Sequence, residues 1–275
     1  MDTQIILIYC LCDDLLKALH HREDSQCRMS DAEVMTWALV AALHFRGNFA
    51  LAGQMLSEQG YLPVLLSKSR FSRRVHRVKR LFLTLFAVLG EQFKAWNEES
   101  VYIVDTFPIA VCDNYRIPRS KRYRGEAYRG YQASKRRYFY GIKLHLLVTP
   151  NAEPIEFFLT PGAVGDVTGL DFFDFDLPAG SQIIGDKAYN DYELEDVLKE
   201  AELYLLPMRK RNTKRPFPPW MCYLQAHFRK TVETAGSLLE RLLPKSIHAV
   251  TAAGFELKLV LFVLALSISR IPISG

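Results

Sequence analysis

Cysteine is scarce and poorly placed for structural work. The 275-residue chain has five, Cys10, Cys12, Cys27, Cys112 and Cys222, an odd number with no CxxC pair, which excludes a disulfide framework and a zinc ribbon. No apolar stretch reaches the ~20 residues a membrane-spanning helix requires. The strongest, Leu259 to Ile268, is about half that length and is expected to be a buried C-terminal helix. The amino terminus, Met1-Asp2, lacks a basic segment, and Asp13-Asp14 follow its short apolar run, against a secretory leader. Internal repeats and low-complexity tracts are missing, which sets solenoid architectures aside. These absences point to a reducing cytoplasm and a chain without a membrane partner.

Acid is missing from two long stretches. Lys68, Arg70, Arg73, Arg74, Arg77, Lys79 and Arg80 share a segment with no Asp or Glu. Arg116, Arg119, Lys121, Arg122, Arg124, Arg129, Lys135, Arg136 and Arg137 share another in which Glu126 is the one acid, and Tyr115, Tyr123, Tyr128 and Tyr131 are interleaved. The net charge of +5 is modest, but clusters set the field that a polyanion feels. Arginines contact phosphates and tyrosines stack on unpaired bases, so both segments are candidate nucleic-acid surfaces. The alternatives are a solvated basic face for the first and a flexible loop for the second. A mobile second segment is expected until DNA arrives. A further run, Arg209-Lys210-Arg211 with Lys214-Arg215, is placed beside the same groove.

What is present is a globular composition, 49% hydrophobic and 24% charged, in a chain long enough for one large domain or two moderate ones. Residues 1 to about 97 predict helices: Ser30-Asp31-Ala32-Glu33 fits a capping box, and Phe71, Val75 and Val78 give the basic segment one apolar side. From about residue 98 strands dominate. Val101 to Val111, Tyr138 to Thr149 and Pro154 to Thr160 alternate or run apolar, followed by a helix at Asp166 to Phe175, a strand at Gln182 to Gly185, a helix at Tyr192 to Ala201, and a strand at Leu203 to Met208. A last patterned helix, about His227 to Leu243, carries Phe228, Val232, Ala235, Leu239 and Leu242 on one stripe. Arg229, Glu233, Gly236 and Glu240 lie on the stripe beside it. The sum is an α/β chain with a mixed sheet.

Two aspartates close apolar runs: Asp105 after Val101-Tyr102-Ile103-Val104, and Asp186 in Ile183-Ile184-Gly185-Asp186-Lys187-Ala188-Tyr189. With Glu233 on its helix they make three oxygen donors suited to divalent cations shared with a phosphate substrate. A lone strand-end Asp is commonly a turn former. Asp113, Asp191 and Glu240 are the nearest competitors, each less well placed. Lys187 adjoins Asp186 and either touches a phosphate or is simply exposed, and Arg229 lies one turn before Glu233. His145 is expected to be a strand residue rather than a metal ligand, having no second His or Cys at ligand spacing.

Val104-Asp105-Thr106, Tyr140-Gly141-Ile142-Lys143-Leu144-His145, Gly185-Asp186-Lys187-Ala188-Tyr189 and Arg229-xxx-Glu233, in that order, resemble the DDE transposases of bacterial insertion sequences over about residues 98 to 265. The resemblance implies an RNase H-like catalytic domain at 98–275 behind an all-helical DNA-binding domain at 1–97. It implies Asp105, Asp186 and Glu233 as catalytic residues holding two Mg²⁺ or Mn²⁺ ions. Its substrates would be double-stranded DNA, both terminal inverted repeats and target, cut at the ends and joined through the freed 3′-hydroxyl by a homodimer acting at the nucleoid. Two readings stand beside it: a metal-dependent nuclease without strand transfer, and a DNA-binding remnant that has lost catalysis.

Overall fold

The computed structural model describes residues 1–132 and 136–272 of the chain, without the side chains of residues 114, 229, 231 and 232. Two of the expected DNA contacts, Lys135 and the Arg229 side chain, therefore lie outside the described residues. In chain order the helices α1 (Asp2–Ala18), α2 (Asp31–His44), α3 (Phe49–Glu58), α4 (Lys68–Arg77) and α5 (Lys79–Trp96) come first. The strands β1 (Val101–Cys112), β2 (Arg129–Gln132), β3 (Arg137–Val148) and β4 (Pro154–Pro161) follow. Then come α6 (Asp166–Leu170), β5 (Gln182–Gly185), α7 (Tyr192–Glu200), β6 (Tyr204–Pro207), α8 (Pro219–Leu242) and α9 (Ala252–Arg270).

The chain divides into two compact units, one of Met1–Leu89 with Leu238–Gly275 and the other of Gly90–Ser237. The division anticipated at 97/98 was linear; the C-terminal segment instead belongs with the N-terminal helices. Helix α2 explains why. It is buried on nearly every side, with Val34, Met35, Trp37, Leu39 and Val40 inside, and α1, α3, α4 and α9 all pack on it. A helix apolar all round needs neighbours all round, and α9 is one of them. Its residues Phe255, Leu257 and Leu259 to Ile268 are buried. Helix α9 is longer than its apolar run suggested and, at 19 residues with mean hydropathy 1.9, could cross a membrane by length and composition alone. The capping box at the start of α2 is present, with Ser30 Oγ accepting from Glu33 N–H and Glu33 accepting from Ser30 N–H.

The second unit is built on a six-stranded sheet of order β2-β3-β1-β5-β6, with β4 also paired to β3. Strands β1, β2 and β4 run antiparallel to β3, whereas β1, β5 and β6 are mutually parallel. Strand β3 gives one edge to β1 and shares the other: β2 takes Arg137 to Tyr140 and β4 takes Ile142 to Val148. Gly141 sits at that handover, donating no side chain because a Cβ there would overlap the Ile109 carbonyl oxygen, and its own carbonyl accepts from Gly162 N–H at 3.0 Å.

Three local expectations are corrected. The basic segment after β1 is folded: two 3₁₀ turns, Asn114–Arg119 and Glu126–Tyr128, lead into β2. Tyr123 and Tyr140 are buried, and the Tyr140 hydroxyl contacts the carbonyls of Tyr123 and Gly125 at 3.3 and 3.2 Å. Helix α6 stops at Leu170 instead of running to Phe175, because the Glu156 carboxylate takes the N–H groups of Asp174 and Phe175 out of any helical ladder. Helix α8 begins at Pro219 rather than His227; a proline costs nothing at a first helical position, whose N–H has no partner in the helix.

Candidate active site

Parallel pairing of β1 with β5 matches Val101 to Gln182, Tyr102 to Ile183 and Ile103 to Ile184. Asp105 stands two residues past Ile103 and Asp186 two past Ile184. The period-two alternation of strands therefore brings both to one face of the same sheet end, on backbones about 4.8 Å apart. One oxygen of each carboxylate is held by its own following backbone: Asp105 Oδ1 accepts from Thr106 N–H at 2.8 Å and Asp186 Oδ1 from Ala188 N–H at 2.7 Å.

Glu233 reaches the same place from α8. Near its start, Gln225 is buried and donates through Nε2 to the carbonyls of Leu206 and Pro207, at 3.1 and 3.4 Å, fastening the helix to the end of β6. Farther along, Gly236 lies against the Phe107 ring, where a Cβ would overlap it. That close approach brings Glu233, one turn earlier, to the sheet end. The outcome is a cavity of about 70 Å³ lined by Ile103, Val104, Asp105, Ile184, Gly185, Asp186 and Glu233. All three acids singled out from sequence line it. Its donors are carboxylates with no His or Cys among them, a set suited to Mg²⁺ or Mn²⁺ rather than Zn²⁺.

The competing acids have other roles or places. Asp191 caps α7, accepting from the N–H groups of Glu193 and Leu194. Asp113 is exposed beyond the far end of β1, and Glu240 belongs to the helical unit. Among the described residues, His21, Glu23 and Asp31 bring their ligand atoms within 4.8 Å of one another. Asp31 there is bonded to His21 and paired with Arg74, so the group is satisfied internally.

Behind the acids, Tyr189 is fully buried, and its hydroxyl lies 2.7 Å from Thr106 Oγ1. Thr106 Oγ1 is 2.9 Å from His145 Nδ1, whose Nε2 is 2.9 Å from Thr160 Oγ1. Burial, and then the negative charge of Asp105, push the Tyr189 phenol well above its usual range, so it stays protonated. Burial also drives His145 down to about 4, with Asp166 opposing and Lys143 adding a smaller push in the same direction. His145 is thus a buried neutral strand residue, as its sequence context implied.

The basic residues sort into two kinds. Lys68, Arg70, Arg73 and Arg77 of α4 are exposed, as are Arg116, Arg119, Lys121, Arg124, Arg129, Arg136, Arg137 and Lys187. Arg74 is turned inward, bonding Asp31 Oδ1 at 2.5 Å and the Met29 carbonyl at 3.0 Å. Arg122 donates to the Val111 carbonyl at 2.8 Å. Arg209 is buried in a two-point pair with Glu195 and lies 4.2 Å over the Phe217 ring. The position of the second basic segment also differs from expectation. Leu146 pairs with Asp105 and Tyr138 lies eight residues back along β3, so the hairpin end is about 25 Å from the acids at ~3.3 Å per residue.

This mixed α/β sheet with flanking helices is a fold of the transposase catalytic kind. A piggyBac transposase synaptic complex with hairpin DNA, solved by cryo-EM, is similar to it with a TM-score of 0.52 at 10% identity, over 97% of this chain and 74% of that one. No curated protein matches the sequence. The family model described as transposase DDE domain matches residues 96–242, a span that holds Asp105, Asp186 and Glu233. The chain belongs to the transposase DDE domain family.

Proposed function

We propose that the protein is a DNA transposase that cuts at the ends of its element and transfers the freed 3′-hydroxyl to target DNA, with Asp105, Asp186 and Glu233 as the catalytic carboxylates. The observation that carries this reading is the pairing of Ile103 with Ile184, which sets the two aspartates side by side at a cavity that Glu233 also lines. The sheet is read as RNase H-like. The three carboxylates would hold two Mg²⁺ or Mn²⁺ ions, whose charge stabilises both the attacking and the leaving oxygen of a phosphodiester exchange. The protein's own part is to hold Asp105 and Asp186 through backbone N–H groups and to bring Glu233 in on a helix fixed at Gln225 and Gly236. Exposed Lys187, next to Asp186, is a phosphate contact. Double-stranded DNA as partner is supported by the solved relative, which was captured on DNA in a synaptic complex. Action as a homodimer on paired ends at the nucleoid belongs to the same reading.

The test is incubation of the protein with labelled DNA carrying the element's ends and a target plasmid. Cleavage and strand transfer are expected with Mg²⁺ or Mn²⁺, and DNA binding without appreciable chemistry with Ca²⁺, which is larger and less strict in geometry. Cleavage without joining would make the protein a nuclease, and full activity in the presence of chelator would overturn the metal-site reading.

The two basic surfaces have separate assignments. Helix α4, with its exposed cationic side, is placed on the inverted repeat, where a helix in the major groove reads base edges. The hairpin end of the sheet, with Tyr131 and Tyr138 exposed and their rings 4.9 Å apart, is placed on DNA about seven base-pair steps from the cut, given the ~3.4 Å rise per step. Replacing Arg116, Arg119, Lys121 and Arg124 together with Gln is expected to lower affinity and flatten the slope of log K against log salt by about 3, at ~0.9 per phosphate released. The internally bonded Arg122, replaced alone, should leave that slope unchanged. A slope that the fourfold variant does not alter would return the cluster to solvated surface.

A further inference from the structure

We propose that Tyr189 and Thr106 are positioning residues: with His145 and Thr160 they form a buried hydrogen-bonded strut that fixes the separation of Asp105 and Asp186 for divalent-ion binding. The inference rests on the active-site reading above and adds residues to it. Backbone pairing between β1 and β5 ends at Ile103 and Ile184, just short of the acids. Past that point, Tyr189, three residues after Asp186, reaches Thr106, the neighbour of Asp105, with 2.7 Å between their oxygens. The bond thus joins the two acid-bearing segments where the ladder no longer does. It is needed there because two like charges on adjacent strands repel, the more so at a water-poor cavity.

The strut is rigid along its length. The Tyr189 ring lies against Gly185, where a Cβ would come within 2.8 Å of it. The His145 ring is stacked on Phe158 at 4.6 Å and 11°, and its other neighbour, Gly169 of α6, lacks a Cβ that would overlap the ring. Each hydroxyl has one proton to donate, and a neutral imidazole has one N–H. The three bonds therefore align in a single direction across β5, β1, β3 and β4, and losing any hydroxyl breaks the alignment. Groups that orient metal ligands from behind typically change metal affinity 10- to 100-fold when removed.

The experiment is Mn²⁺ titration of the purified full chain by electron paramagnetic resonance, with thermal unfolding in chelator run in parallel. Tyr189→Phe keeps the buried ring, Thr106→Val keeps the volume, and Thr106→Ser keeps the hydroxyl. The first two are expected to weaken Mn²⁺ binding by about 10-fold or more, and Thr106→Ser to bind like the unsubstituted protein. The double variant Tyr189→Phe with Thr106→Val should be no weaker than either single one, because both break the same bond. A purely structural role would lower the melting temperature and leave Mn²⁺ affinity alone, and that result would overturn the strut. So would Thr106→Ser behaving like Thr106→Val. Unsubstituted protein that binds no Mn²⁺ would remove the active-site reading itself, whereas normal binding by the unsubstituted protein and by Tyr189→Phe would remove the strut alone.

Discussion

Asp105→Asn, Asp186→Asn and Glu233→Gln are each expected to lower DNA cleavage by about a thousandfold or more while DNA affinity stays within about threefold. Each exchange keeps the side chain's size and removes one negative charge from the cavity the three residues share. Several kcal/mol of transition-state charge stabilisation depends on ions held there, and about 4 kcal/mol is a thousandfold in rate. Binding is spared because the exposed cations supply it: α4 belongs to the helical unit, and the hairpin end lies about 25 Å along the sheet. Cleavage rates on end DNA, beside gel-shift affinities for the same DNA, check both halves. Near-normal cleavage by any one variant would take that residue out of the site.

The second large effect concerns acid. His145 is fully buried and its pKa falls from 6.5 to about 4. An unfolded chain binds a proton at this residue below about 6.5, whereas the folded chain does not until about 4. Stability is therefore fully present above 6.5 and lost as the pH falls toward 4. At about 1.4 kcal/mol per pH unit the loss comes to about 3 kcal/mol. Carboxylates titrate in part of the same window, and Glu156, raised chiefly by burial, opposes the trend because its folded form takes up a proton more readily than its unfolded form. The measurement is accordingly a difference: urea unfolding of the unsubstituted protein and of His145→Asn at pH 7 and pH 4.5. The variant should be less stable at pH 7, having lost the bonds to Thr106 and Thr160, and should lose distinctly less on acidification. Parallel pH profiles would show that His145 takes up its proton equally well folded and unfolded.

Much of the sheet was legible because strands buried on one or both faces write their period into the chain. The alternation of Ile142, Leu144, Leu146 and Val148 against Lys143 and His145 placed β3, and the two apolar runs ending in Asp105 and Asp186 placed β1, β5 and the acids at their ends. Register was not legible. That Ile103 pairs with Ile184 depends on which strands become neighbours, and periodicity is silent on it. The same limit hid the fate of single cations. Arg74, Arg122 and Arg209 look like their exposed neighbours in sequence, yet each is committed to a partner inside its unit: Asp31, the Val111 carbonyl and Glu195. Gln225 carried no signal, since a glutamine bonded to the carbonyls at a strand end looks like any other helix glutamine. Strand β2 was missed because its charged and aromatic residues suggested a loop, whereas Gly130 and the tyrosines around it pack inward.

The packing of α9 on α2 sets a timetable for synthesis. Helix α2 is complete once His44 has left the ribosome, but the neighbour that covers part of it ends at Arg270. Roughly 200 residues intervene, which at about 5 to 20 residues per second is about 10 to 40 s of translation. Through that interval the growing chain carries a helix with no polar face to turn toward water, while the sheet of the other unit is being made. Holding factors at the ribosome exit have their natural substrate in that uncovered side of α2, and messages cut short before α9 yield chains that never close it.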